Sequence, residues 1–103
     1  MKISKLKIGY QTYTVEEDDD YCVGLGANGA TLKDRQKIIY SSCVPKGEVA
    51  DTLIHEVLHD ICHSYLPDVE RADEEEVVTM IAHGLTQVLR DNPTLFPELK
   101  KLL

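Results

Sequence analysis

From Pro45 onward, the apolar residues of the chain recur at intervals of three and four: Val49, Leu53, Ile54, Val57, Leu58, Ile61. That spacing predicts one amphipathic helix from about Lys46 to Tyr65. It must stop before Pro67, because the residue ahead of a proline is pushed out of the helical region. A second stripe, Val77, Val78, Ile81, Ala82, Leu85, Val88 and Leu89, predicts a helix over 70–90, ended by Asp91-Asn92-Pro93. Thr94 is placed to cap a short third helix with Leu95, Leu99, Leu102 and Leu103 on one face. Before Pro45 the period is two. Leu6 and Ile8 alternate with Lys5 and Lys7, "YQTYTV" (10–15) is rich in β-branched and aromatic residues, and "QKIIYS" (36–41) reads as another strand. The expected architecture is α+β: a small three- to four-stranded antiparallel or mixed sheet, then two packed helices and a short C-terminal helix. All of it fits one domain over 1–103.

Two stretches interrupt this pattern. "EEDDD" (16–20) reads as a solvated turn, since it lacks the glycine and terminal glutamate of a calcium loop. "YCVGLGANGA" (21–30) spells G-x-G-x-x-G through Gly24, Gly26 and Gly29. No helical pattern follows, so turn chemistry is expected there rather than a phosphate cradle.

Composition narrows the function classes. The net charge of −7 opposes nonspecific binding to nucleic-acid phosphates. No apolar run approaches the ~20 residues of a membrane span. The N-terminus has no apolar segment of the secretory kind. Three cysteines, Cys22, Cys43 and Cys62, are odd in number and widely spaced, which fits reduced thiols in a cytoplasmic setting.

The candidate chemistry lies within the first helix, in "TLIHEVLHD" (52–60). At about 100° per residue, His55 and His59 stand ~40° and one turn apart. Two neutral imidazoles so placed can reach one tetrahedral Zn²⁺. Glu56 lies ~100° round from His55 and ~60° from His59. That is too far for a natural third ligand, but within reach of a water on the metal, as a general base requires. The apolar stripe occupies the far side of the helix, so the histidines are expected to face a cleft.

A catalytic zinc needs a third protein ligand. Position 65 is Tyr, so a third histidine ten residues after the first is excluded. A carboxylate from the second helix is the remaining common solution, and "DEEE" (73–76) offers it. Relative to the apolar stripe, Glu74 falls inside, Glu75 at the edge and Glu76 opposite, so Glu75 is the expected ligand and Glu74 the alternate. Helix N-termini favour acidic residues in any case, by ~0.3–1 kcal/mol. His63 lies ~12 Å along the helix from His55 and is a candidate to contact substrate or to support the ligands, as is Tyr65. Cys62 can ligate zinc but is also an ordinary buried position. His83 is expected on the surface, and Tyr40 has no assignable place.

The stretch "DTLIHEVLHDICHSYLPDVERADEEEVVTMIAHGLTQVLRDNP" resembles small phage and prophage HExxH zinc metallopeptidase-like proteins related to the ImmA/IrrE group, a minimal gluzincin. The resemblance implies a sheet ahead of the active-site helix, His55 and His59 as ligands, Glu56 as base and a peptide or protein substrate. It implies a cytoplasmic protein of a bacterium or phage-infected cell. Two other classes compete: a zinc module in which the metal only pins the helices, and an acidic protein-interaction module without metal.

Overall fold

The computed structural model describes residues 2–65 and 73–103, the side chains of 74, 75 and 78 excepted. Four strands precede three longer helices: β1 (Lys5–Ile8), β2 (Gln11–Glu17), α1 (Asp19–Leu25), β3 (Gly29–Leu32), β4 (Lys37–Tyr40), α2 (Lys46–Tyr65), α3 (Glu74–Asp91) and α4 (Leu95–Leu102). The fold is α+β, as the alternation of periods requires. The sheet is mixed, in the order β1-β2-β4-β3. β1–β2 and β3–β4 are antiparallel hairpins, and β2–β4 is the parallel pair, with Val15 opposite Ile38.

Period-two patterning explains the inner face of the sheet. Leu6 and Ile8 of β1, Tyr13 and Val15 of β2, and Ile38 and Tyr40 of β4 are buried, with their strand neighbours Lys5, Lys7, Thr12 and Thr14 exposed. α2 covers this face with Val49, Leu53, Val57 and Ile61, and α4 closes the core with Leu95 and Leu99. Leu103, expected on that face of α4, is 82 % exposed. Thr94 precedes α4 but makes no side-chain capping bond.

The acidic run is no turn. Glu16 and Glu17 end β2, Asp18 accepts a hydrogen bond from Tyr21 N at 3.0 Å, and Asp19 and Asp20 open α1. An N-cap aspartate with acids in the first turn is a strong helix start. Seven residues carrying one buried side chain, Cys22, are too few for a stripe to show. Gly24 and Gly26 therefore belong to the end of α1, and Gly29 opens β3; no helix follows a phosphate loop.

α3 begins after Asp73, whose carboxylate accepts from Glu76 N at 2.8 Å. Its buried line is Met80, Gly84, Gln87 and Val88, flanked by half-buried Val77, Ile81 and Leu85, while Ala82 is exposed. The packed face is thus rotated from the hydropathy stripe. Gln87 explains the rotation, because it is buried for its hydrogen bonds: Nε2 donates to Lys7 O (3.0 Å), and Oε1 accepts from Gly9 N (2.8 Å). Asn92 completes the attachment. Its Oδ1 accepts from Lys7 N and its Nδ2 donates to Lys7 O, both at 2.9 Å, in place of a neighbouring strand. Two amides thus satisfy the outward backbone groups of Lys7 and the N–H of Gly9 at the outer edge of the sheet.

Candidate metal centre

The buried face of α2 is wider than its apolar residues. Val49, Ala50, Leu53, Val57 and Ile61 are joined by Glu56 and Asp60, whereas Ile54, expected in the stripe, is 41 % exposed. α2 therefore lays two carboxylates against the sheet and leaves His55 and His59 exposed beside them.

Those histidines converge. Nε2 of His55 and Nε2 of His59 are 3.0 Å apart, and the rings meet edge to face with centroids at 4.6 Å. Two nitrogens bound to one tetrahedral Zn²⁺ at ~2.05 Å would stand ~3.3 Å apart. The observed separation corresponds to an N–Zn–N angle of roughly 94°, so the pair fits a single zinc with a small rotamer adjustment. Without metal, the same distance is a hydrogen bond when one ring carries the proton. Among the described residues no third His, Cys, Asp or Glu completes a cluster with them. The expected third ligands Glu75 and Glu74 have side chains outside the described residues.

Glu56 is 7 % exposed and reaches toward the sheet. Its Oε1 accepts a hydrogen bond from Thr31 Oγ1 on β3 at 3.1 Å. The same hydroxyl lies 3.3 Å from Asp60 Oδ2, and Asp60 Oδ1 has no partner among the described residues. Burial pushes the Asp60 carboxyl from its ordinary 3.8 up to about 7; the Thr31 hydroxyl opposes this, the Glu56 charge adds to it, and Lys33 opposes it. β3 comes this close because position 29 is glycine. A Cβ there would collide with the Thr52 side chain, lie 2.9 Å from Ile39 O and touch Glu56 Cγ at 3.8 Å. A cavity of about 230 Å³ opens between β3 and α2, lined by Ala27, Asn28, Gly29, Asp51, Thr52, His55 and Glu56.

The remaining candidates scatter. His63 is exposed in the last turn of α2 and lines a separate hollow of about 180 Å³ with Tyr10, Gln11 and Ser64. Tyr65 donates its hydroxyl to Gln87 Oε1 at 3.3 Å, toward α3. Cys62 is half-buried against the core. Tyr40 is buried on β4, with its phenol pushed up by burial and by Glu17 and Asp19. His83 is exposed, as expected. Sequence reasoning missed Thr31 and Asp60. An aspartate one turn beyond Glu56 was the signal available for the second; nothing local marked the first.

Among the described residues no helix is long and apolar enough to cross a membrane. No protein-family model, no curated protein and no solved structure matches the chain.

Proposed function

We propose that the chain is a zinc-dependent metallopeptidase-like hydrolase of the ImmA/IrrE kind, acting in the cytoplasm of a bacterium or phage-infected cell on a peptide or protein. The observation that carries this is the convergence of the two Nε2 atoms at 3.0 Å, with the Glu56 carboxylate one residue away on the wall of a cavity. Bound zinc would polarise the scissile carbonyl and make a water acidic enough to attack near neutral pH. His55 and His59 hold the ion. Glu56 takes the proton from the attacking water and returns it to the leaving amine.

The third ligand is a glutamate at the start of α3. On the helical wheel, the centre of the packed face, taken over its buried and flanking half-buried residues from Val77 to Val88, lies ~60° from position 74 and ~160° from position 75. The rotation of that face toward Met80, Gly84 and Gln87 therefore moves the preference from Glu75 to Glu74.

The test begins with metal. After equilibration with Zn²⁺ and dialysis, the protein should retain one equivalent by mass spectrometry. Removing an outer-sphere partner of a zinc ligand already costs 10–100-fold in affinity, so His55→Ala and His59→Ala should each lose more than ~100-fold. Glu56→Gln should keep the metal and lose ~10²–10⁴-fold in peptide hydrolysis. Glu74→Gln should weaken zinc more than Glu75→Gln. No stoichiometric zinc in the wild type overturns the proposal. Zinc held tightly with hydrolysis indifferent to Glu56 overturns its catalytic half and leaves a zinc-pinned module.

A further inference from the structure

A buried general base needs more than a helix to aim it, because a glutamate side chain keeps three rotatable bonds after its backbone is fixed. Glu56 has one hydrogen-bond partner for its carboxylate among the described residues, the Thr31 hydroxyl at 3.1 Å. Thr31 is not on α2. It sits on edge strand β3, paired with Ile38 of β4. Its β-branched side chain is stiff about the first torsion, so the strand sets the direction of the hydroxyl. Gly29, two residues earlier on the same face, lets the strand approach α2 closely enough for this contact.

We propose that Thr31 is the positioning residue for Glu56. The hydroxyl donates to Oε1 and anchors that oxygen to the sheet. Oε2 has no protein partner among the described residues and stays available to the water in the cavity beside His55. This rests on the metallopeptidase proposal for what Glu56 does there, but the ordering of Glu56 by Thr31 can be measured without it. The hydroxyl carries one proton and faces two carboxylates. Glu56 is the closer acceptor at 3.1 Å, and Asp60 at 3.3 Å shares the same donor.

The experiment compares Thr31→Val, which keeps shape and strand propensity, with Thr31→Ser, which keeps the hydroxyl. The readout is the NMR order parameter of the Glu56 Cγ methylene, in the full chain with and without Zn²⁺. The wild type and Thr31→Ser should hold Glu56 ordered, and Thr31→Val should drop the order parameter below ~0.6. Zinc stoichiometry should be unchanged in all three. If Thr31→Val fails to fold by circular dichroism, Thr31→Ala removes the same hydroxyl and replaces it. An equally ordered Glu56 without the hydroxyl, or no restoration by serine, overturns the role of Thr31. Absence of zinc binding by the wild type instead overturns the metallopeptidase proposal and leaves the ordering result standing.

Discussion

Asp60→Asn is the sharpest probe of how α2 meets the sheet. Asp60 is fully buried, one of its oxygens lacks a partner among the described residues, and burial raises its carboxyl from 3.8 to about 7. The folded state thus holds this proton more tightly than the unfolded chain. Folding takes up a proton between the two values, so the contribution is full below 3.8 and is lost as the pH rises through about 7. A shift of that size corresponds to ~4 kcal/mol in all, of which ~3 kcal/mol disappears between about pH 5 and 8. Asparagine has nearly the same shape and does not titrate. In metal-free protein with a chelator present, urea unfolding of both proteins from about pH 5 to 8 gives the difference in stability. The carboxylates Asp19, Asp91 and Glu98, held low by hydrogen bonds accepted from Ser42, Arg90 and Lys101 respectively, are common to both proteins and cancel. The variant should be ahead by ~1–2 kcal/mol at about pH 5 and by ~4 kcal/mol at about pH 8. A difference flat to within ~0.5 kcal/mol across that range would refute the argument.

Two further substitutions test the packing that supports the site. Gly84→Ala should destabilise by ~1–3 kcal/mol in thermal or urea unfolding, although alanine ordinarily gains ~1 kcal/mol over glycine within a helix. The added Cβ would collide with the Ile61 side chain where α3 crosses α2; a stabilised variant would show that the helices are not in such contact. Asn92→Ala removes the donor and acceptor that saturate Lys7 and the bond to Val88 O, and should cost ~1–3 kcal/mol. Amide hydrogen exchange at Lys7 should quicken selectively, and unchanged protection there would contradict the capping of the β1 edge.

The periods of two and three-to-four were enough to place the principal strands, α2 from its first turn, and the later helices, because alternation and stripe are consequences of one-sided burial. Two histidines four apart, with a glutamate between, were likewise enough to bring both imidazoles to one point, since a single helix turn sets that geometry. Tertiary structure decided the rest. α1 was hidden because seven residues carry no periodic signal. The packed face of α3 turned away from its most apolar residues because Gln87 is buried for the backbone groups it satisfies, which hydropathy does not register. Thr31 met Glu56 across 25 positions of sequence only because β3 folds back to the sheet edge beneath α2. Local spacing sets what one helix can present. What stands opposite it depends on strand order and on the missing side chain at Gly29, and those follow from packing the whole chain.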